Sequence, residues 1–262
     1  MKDNKYRRPE RKAEQVTEEN ENQLEGRNAL TEALRSGRTI DKVFIAAGET
    51  DRGLQRLAAE AKEAGAVVVP VDRRKLDAMS MTRAHQGVIA LAAARAYFTI
   101  DDILQEAADR GEAPLIVICD ELSDPHNLGA ILRSAECAGA HGVIIPKRRS
   151  VGLTAVVAKA SAGAVEYMKV AKVTNINAAI GELKEKGVWI FGTAAEGSIP
   201  MYQADLTGPT AIVIGSEGDG MSQLVRKNCD VTVHIPMKGK ITSLNASAAA
   251  SILLYEAVRQ RI

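Results

Sequence analysis

The sequence predicts an α/β protein that is built from two domains. Its 262 residues are enough for two domains of ordinary size. Segments typical of strands alternate with segments typical of helices along most of the chain, which indicates α/β architecture. Several strands, such as residues 115–119, are continuously apolar, and this pattern is typical of a parallel sheet covered by helices on both faces.

Composition and charge exclude several classes of protein. The net charge is only +1, so any nucleic-acid surface must be local. Aromatic residues make up 3%, which argues against a single-strand binder that stacks bases on aromatic rings. No apolar run has transmembrane length, and we expect no membrane contact. The four histidines, His85, His126, His141 and His234, lack ligand-like spacing, and we expect no metal.

The cysteines indicate a reducing compartment. Cys119, Cys137 and Cys229 are an odd number and show no metal-ligand spacing. Each lies in an apolar stretch, so we expect three buried, reduced thiols. Reduced thiols suit the cytosol, and the predicted location is therefore cytoplasmic.

The first 22 residues are polar and charged almost throughout. Such a segment cannot bury enough apolar surface to offset the entropy of ordering, and residues 1–22 are predicted to be a disordered tail. A role as a basic arm that touches RNA stays open, because residues 6–12 carry most of the positive charge of the tail.

Residues 23–95 are predicted to form the first domain, with strands and helices in alternation. Strands are expected at 42–46, 66–69 and 86–93, with helices at 26–34, 54–63 and 72–78. The basic triplet Arg73, Arg74 and Lys75 lies in the third helix and is a candidate RNA contact. A solvated helix face explains the triplet equally well.

Residues 96–113 are predicted to be a linker with one helix, and residues 114–262 the second domain. Its expected strands are 115–119, 142–145, 165–170, 188–192, 211–214 and 231–235. Its expected helices are 130–138, 154–161, 176–186, 221–227 and 246–260. A second basic triplet, Lys147, Arg148 and Arg149, follows the second of these strands and is another candidate RNA contact.

The first of three notable loops follows strand 115–119. Asp124 and Pro125 favour a turn, and Asn127 is expected to cap the helix after it. Arg133 lies six residues further on, and an arginine near a helix start suits a phosphate or another anion. An ordinary β–α turn is the alternative interpretation.

The second and third loops are glycine-containing and follow later strands. Gly215, Gly218 and Gly220 have the spacing G-x-x-G-x-G, which is not the dinucleotide-binding fingerprint. In the third loop Pro236 ends a strand, and Ser243 and Asn245 are placed to cap the last helix. Gly239 and Lys240 do not form a phosphate-binding P-loop, because the earlier glycine of that motif is missing.

Taken together, the three loops resemble the three motifs of the SPOUT class of RNA methyltransferases. The matching residues are Asn127 to Arg133, then Gly215-Ser216-Glu217-Gly218, then Ile235-Pro236-Met237 with Ser243-Leu244-Asn245. The likeness is to the branch that methylates ribose 2′-oxygens in tRNA and rRNA. Residues 24–29 and 85–88 are similar to the ribosomal-protein-like RNA-binding domain of bacterial enzymes that methylate guanosine in 23S rRNA.

The resemblance implies a knotted parallel α/β domain that binds S-adenosyl-L-methionine and forms a homodimer. The cofactor-binding residues that it implies are Thr193, Gly215, Gly218, Ile235, Met237 and Leu244. It gives Arg133 the central catalytic role, with Asn127, Glu217, Ser243 and Asn245 shaping the site. From first principles Glu217 is the easier proton acceptor, because a guanidinium keeps its proton. The identity of the proton acceptor is left open.

The expected function is the transfer of a methyl group to a guanosine ribose in 23S rRNA. A tRNA 2′-O-methyltransferase, an enzyme acting on adenosine in rRNA, and a non-catalytic RNA-binding factor for ribosome assembly are the alternatives. The first domain favours rRNA, because the simpler tRNA enzymes tend to lack it.

Overall fold

The structure is a computed structural model that describes residues 22–48, 50–194, 198–218 and 220–262. The predicted tail therefore lies almost wholly outside the described residues. The chain divides into two compact units. One contains the residues up to Ala96 together with Leu153–Lys159, and the other contains Tyr97–Gly152 and Ala160–Ile262.

The first unit is built on a four-stranded mixed sheet. Its strands are β1 (Gln23–Glu25), β2 (Ile40–Ala46), β3 (Val67–Val71) and β4 (Val88–Ala92), and its helices are α1 (Arg27–Arg35), α2 (Arg52–Glu63) and α3 (Arg73–Met79). The strand order is β1-β4-β2-β3. Strands β2 and β3 are parallel, whereas β4 is antiparallel to both of its neighbours.

Strand β1 was not expected from the sequence, and its buried carboxylate explains why. Glu25 accepts hydrogen bonds from Ser80 Oγ at 2.6 Å, from Met81 N at 2.6 Å and from Thr82 N at 3.1 Å. Burial raises the pKa of Glu25, but the hydrogen bonds from Ser80, Thr82 and Met81 outweigh burial and hold the pKa below its usual value. A glutamate in a three-residue strand is stable here because the loop after α3, more than fifty residues later in the sequence, supplies its donors.

The second unit is built on a seven-stranded sheet in which all neighbouring strands are parallel. Its strands are β5 (Leu115–Cys119), β6 (Gly142–Pro146), β7 (Val170–Val173), β8 (Trp189–Thr193), β9 (Ile199–Pro200), β10 (Thr210–Ile214) and β11 (Val231–His234). The order across the sheet is β7-β6-β5-β10-β8-β11-β9. The expected α/β class with a parallel sheet is confirmed.

The helices that follow along the chain are α4 (Ile100–Arg110), α5 (Pro125–Cys137), α6 (Ala155–Ala160), α7 (Ile176–Glu185), α8 (Gln223–Asn228) and α9 (Ala246–Arg261). All of them belong to the second unit except α6, which, apart from Ala160, belongs to the first. The core joins apolar residues of the strands with Ile180 and Leu183 of α7 and with Ile103 of α4. A Cβ on Gly142 would lie 2.5 Å from Ile103, so this glycine lets α4 approach the sheet closely.

Three expectations for the second unit are wrong. Residues 165–170 are not extended, because Gly163 (φ 92°) leads into a 3₁₀ turn at Ala164–Glu166 and β7 begins only at Val170. Asn127 does not cap α5, since Asp124 is the N-cap and accepts a bond from His126 N at 2.8 Å. The helix begins earlier than predicted because Pro125 fits its first turn.

The third wrong expectation concerns the cysteines. Cys119 is buried and Cys229 is half-buried, but Cys137 is exposed at the end of α5. Ala135, two residues earlier, is buried, whereas Cys137 lies on the outward side of the helix, as the 3.6-residue period of a helix dictates. Burial raises the pKa of the Cys119 thiol to about 12, which makes this thiol unreactive.

Candidate active site

Four loops meet at one edge of the parallel sheet. Strands β5, β8, β10 and β11 run in the same direction, so the segments that follow them emerge at their carboxyl ends together. Open α/β sheets carry their binding sites at this edge. The three loops that the sequence singled out follow β5, β10 and β11, and they are therefore neighbours in the fold.

Three predicted site residues form one hydrogen-bonded cluster. The Asn127 side-chain amide donates to a carboxylate oxygen of Glu217 and, at 3.3 Å, to Asp124 Oδ2. Asn245 Nδ2 donates to Asn127 Oδ1 at 2.9 Å. Asn127 is buried, and this arrangement satisfies both its donor and its acceptor groups. The cluster links the loops after β5, β10 and β11.

Asn245 also begins the last helix. It is the N-cap of α9, and its Oδ1 accepts bonds from Ser247 N at 2.9 Å and from Ala248 N at 3.3 Å. These bonds satisfy two N–H groups that the first helical turn leaves without partners. The predicted capping role of Asn245 is confirmed, and the cap fixes the end of the loop that carries Ser243 and Leu244.

The glycine loop after β10 is folded tightly on itself. Ser216 N donates to Gly220 O at 3.0 Å, and Gly220 N donates to Ser216 O at 3.1 Å. A Cβ on Gly215 would lie 2.2 Å from the Gly220 carbonyl carbon, so no larger residue fits there. Gly220 has φ 67°, which favours glycine.

Asp120 links the segment after the glycine loop to the end of β5, a role that was not expected from the sequence. It is buried at the end of β5, and its Oδ2 accepts a bond from Ser222 N at 2.8 Å. Its own N–H donates to Ile214 O at 2.8 Å. A charged residue directly after an apolar strand was the signal that could have identified it.

Two adjoining cavities lie between these loops. The first, which we call the strand-end cavity, has a volume of about 440 Å³ and includes Thr193, Ile235, Met237 and Leu244 in its lining. The second, which we call the glycine-loop cavity, has a volume of about 490 Å³ and includes Gly215 in its lining. The residues common to both linings are Thr193, Ala194, Thr242, Ser243, Leu244 and Ala249.

All six predicted cofactor-binding residues line one or both cavities. Gly218 lines the glycine-loop cavity, as do Glu217 and Ser243 of the predicted catalytic set. Thr193 is held in place because its Oγ1 donates to Val213 O at 2.9 Å. The structure therefore brings together the residues of the second and third motifs around two adjoining cavities.

Arg133 is not part of this arrangement. It is exposed on α5 and is absent from the lining of both cavities. Helix α5 packs beside α9, where Ser134 Oγ lies 2.7 Å from Ser251 Oγ. The outward face of α9 exposes Ile252 and Tyr255, with 36% and 51% of their surface accessible. Arg133 thus lies outside the cluster, on a helix that packs against α9.

The two basic triplets lie in different units. Arg73, Arg74 and Lys75 are exposed in the first turn of α3, where positive charge is disfavoured by the helix dipole. Lys147, Arg148 and Arg149 are exposed just after β6, at the carboxyl edge of the parallel sheet. Arg149 Nη1 lies 3.0 Å from Glu121 Oε1. The second triplet is therefore on the same sheet edge as the cavities.

The described residues contain neither a candidate metal-binding group nor a candidate membrane-spanning helix. No group of three or more histidine, cysteine, aspartate or glutamate side chains there could hold a metal ion. Within that part of the chain, no helix has the length and apolar character needed to cross a membrane.

Family models match both units of the chain. Residues 114–255 match the SpoU rRNA Methylase family. Residues 23–98 match a family described as RNA 2′-O ribose methyltransferase substrate binding. The chain belongs to the SpoU rRNA methylase family. The expected resemblance is confirmed, and the protein is an RNA methyltransferase.

Individual relatives agree with this assignment. YacO of Bacillus subtilis, named as a TrmH family tRNA/rRNA methyltransferase, is 48% identical over 90% of this chain and 94% of its own length. The 23S rRNA (guanosine-2′-O-)-methyltransferase RlmB of Ralstonia nicotianae is 44% identical over 91% of this chain and 95% of its own. AviRb of Streptomyces viridochromogenes, solved with AdoMet, superposes with a TM-score of 0.80 and 26% identity, over 91% of this chain and 89% of its own.

Proposed function

We propose that this protein transfers a methyl group from S-adenosylmethionine to the ribose 2′-oxygen of a guanosine in 23S rRNA. The observation that carries the proposal is the cluster of Asn127, Glu217 and Asn245, which joins three loops beside two cavities. The guanosine and the rRNA rest on the RlmB relative, whose name gives that reaction and which matches 91% of this chain.

S-adenosylmethionine is the methyl donor, and the cavities fit it. Their volumes of about 440 and 490 Å³ are in the range of sites for ligands of this size, about 300 to 1,000 Å³. Gly215, Ile235 and Leu244 lie outside regular strands and helices, so their backbone groups are available to hold the cofactor. When bound, the cofactor supplies an electrophilic methyl group on a sulfonium sulfur.

The residues of the chain position the reacting ribose and assist loss of its proton. Asn127 fixes the Glu217 carboxylate through the hydrogen bond from its amide. A carboxylate accepts several hydrogen bonds, so Glu217 retains acceptor capacity for the ribose hydroxyl. Ser243 lines both cavities and adds a second hydroxyl-binding group. Holding the two reactants in line accounts for much of the rate in a displacement of this kind.

We propose that Arg133 is the catalytic arginine. Because it lies outside the cluster of its own chain, this role requires a second copy of the chain. It is exposed on α5, and the neighbouring helix α9 exposes the apolar side chains Ile252 and Tyr255. We propose that a homodimer forms through these two helices and buries the apolar groups. Arg133 then lies at the interface, where its planar fork is suited to a phosphate of the substrate.

RNA is bound by local positive charge. Lys147, Arg148 and Arg149 lie on the same sheet edge as the cavities, and Arg73, Arg74 and Lys75 lie in the unit that matches the substrate-binding family. With a net charge of +1, the rest of the surface offers little attraction for phosphate.

Methylation of tRNA is the second candidate function. The name of YacO, which is 48% identical, gives tRNA and rRNA together. The match of residues 23–98 to a family described as RNA 2′-O ribose methyltransferase substrate binding agrees with either RNA.

Mapping 2′-O-methyl groups in total RNA, in cells with and without this protein, tests the proposal. Loss of one guanosine modification from 23S rRNA supports it. Loss of a modification from tRNA alone selects the second candidate. No change in any RNA selects the non-catalytic factor.

A further inference from the structure

The two joined cavities differ in the charge of their linings. Among the described residues, Glu217 and Arg226 line the glycine-loop cavity, so its lining contains one carboxylate and one guanidinium group. The strand-end cavity has no aspartate, glutamate, lysine or arginine among its described lining residues. The strand-end cavity, which His234 also lines, is therefore mostly apolar, and the glycine-loop cavity carries both signs of charge.

Arg226 is held at this cavity by well-defined contacts. It lies on α8, whose Val225 is buried in the core and whose first residues are fixed by the bond from Ser222 N to Asp120. Arg226 N donates to Ser222 O at 2.9 Å. Arg226 is exposed and lines the glycine-loop cavity. The helix dipole also favours an arginine in the last turn of a helix, so stabilisation of α8 is the alternative role for Arg226.

We infer that Arg226 binds the carboxylate of the amino-acid end of S-adenosylmethionine. This inference rests on the proposed function. The cofactor has an uncharged adenosine end and an amino-acid end with a carboxylate and an ammonium group. The mostly apolar strand-end cavity suits the adenosine end, and the cavity lined by Glu217 and Arg226 suits the amino-acid end.

The same charges make an RNA phosphate a poorer ligand for this position. A phosphodiester carries only negative charge, and the Glu217 carboxylate on the same cavity would repel it. The zwitterionic amino-acid end of the cofactor instead finds a positive partner for its carboxylate in Arg226 and a negative partner for its ammonium group in Glu217. Arginine binds a carboxylate through two parallel N–H groups, which fixes orientation as well as position.

Calorimetric titration of the full chain with S-adenosylhomocysteine and with 5′-methylthioadenosine tests this assignment. The second ligand lacks both the carboxylate and the ammonium group. Arg226→Ala should weaken S-adenosylhomocysteine binding about tenfold, as expected for loss of one charge-assisted hydrogen-bonded contact at an exposed site. Arg226→Ala should leave 5′-methylthioadenosine binding unchanged, and Arg226→Lys should recover only part of the loss.

Lys227→Ala is the matched control, because Lys227 is the next residue of α8, is exposed, and does not line either cavity. It should bind both ligands as the wild type does. The inference is overturned if Arg226→Ala binds S-adenosylhomocysteine with wild-type affinity, if it weakens both ligands equally, or if it weakens RNA binding alone. Failure of the wild type to bind S-adenosylhomocysteine would instead overturn the proposed function.

Discussion

Asn245 donates a hydrogen bond from Nδ2 to Asn127 Oδ1 at 2.9 Å across 118 residues of sequence. The Oδ1 atom of the same amide accepts bonds from the first turn of α9. One side chain therefore begins a helix with its oxygen and joins two loops with its nitrogen. From this double use we expect substitutions of Asn245 to affect both stability and cofactor binding.

Substitutions at Asn245 should separate these two tasks. Asn245→Ala removes the cap and the bond to Asn127, and it should lower the free energy of unfolding by about 1 to 2 kcal/mol. Asn245→Asp keeps an acceptor for the cap but loses the donor to Asn127. It should retain most of the stability and still weaken S-adenosylmethionine binding. Urea unfolding and calorimetric titration measure the two effects.

Asn175→Ala provides the control for the cap. Asn175 caps α7 in the same way, with Oδ1 accepting from Asn177 N at 2.8 Å and from Ala178 N at 3.4 Å, and it lines neither cavity. This variant should lose similar stability and bind the cofactor normally. Unchanged cofactor affinity in both Asn245 variants would remove Asn245 from the site.

Gly215→Ala should abolish cofactor binding through the backbone. The added Cβ would lie 2.2 Å from the Gly220 carbonyl carbon and 2.3 Å from Met221 N, so the glycine loop must open. Gly181→Ala is the matched control, because Gly181 is inside α7 and a Cβ there meets nothing within 4 Å. It should stabilise the protein by about 1 kcal/mol through helix propensity. Normal titration of Gly215→Ala with S-adenosylmethionine would show that the loop does not form the cofactor site.

Much of the second unit follows from local sequence. Strand β5 was predicted with its observed ends because five consecutive apolar residues can be buried only between two covered faces. The start of α9 was predicted because asparagine caps helices through its own side chain. These features depend on a few neighbouring residues, which the sequence displays directly.

The remaining features depend on contacts between distant residues. The Asp120 bond to Ser222 spans 102 positions, and the residues around Asp120 in sequence do not identify Ser222 as its partner. Strand β9 has only two residues and exists because it pairs with β11. The position of Arg133 outside the cluster depends on which side of α5 faces the sheet, and the start of that helix was predicted five residues too late.

His141 should make stability depend on pH below neutrality. It is buried, its Nδ1 accepts a bond from Leu115 N at 2.9 Å, and its Nε2 lies 3.0 Å from Glu112 Oε2. Burial lowers the pKa of His141 and outweighs the opposite effect of Glu112. In the unfolded chain the histidine has its ordinary pKa of about 6.5, so below that pH the unfolded chain binds more protons than the folded protein. The free energy of unfolding therefore decreases as the pH falls from about 6.5 towards the lower pKa of His141 in the folded protein.

Urea unfolding of His141→Asn between pH 7 and pH 5.5 checks this. The variant should be less stable at pH 7, and its free energy of unfolding should fall less steeply with pH than that of the wild type. His126→Asn is the control, because His126 is exposed, and it should keep the wild-type slope. An equal slope in His141→Asn and the wild type would contradict the prediction.

Neutralising Arg73 and Arg74 should weaken RNA binding without changing cofactor binding. Each phosphate contact that is lost should reduce the slope of log affinity against log salt by about 0.7 to 0.9. The double variant Arg73→Gln, Arg74→Gln is compared with Lys62→Gln, an exposed cation on α2. Filter binding at several salt concentrations measures the slopes. Equal slopes in the wild type, the double variant and Lys62→Gln would show that Arg73 and Arg74 face solvent.

Transfer of tritiated methyl groups to unmodified 23S rRNA tests the central claim most directly. The wild type should place one methyl group on the ribose 2′-oxygen of a guanosine. Arg133→Ala and Arg133→Lys should transfer none while still binding S-adenosylmethionine, because lysine keeps the charge but lacks the planar fork. Near-normal transfer by Arg133→Ala would contradict the catalytic assignment, and absence of transfer by the wild type to any RNA would contradict the proposed reaction.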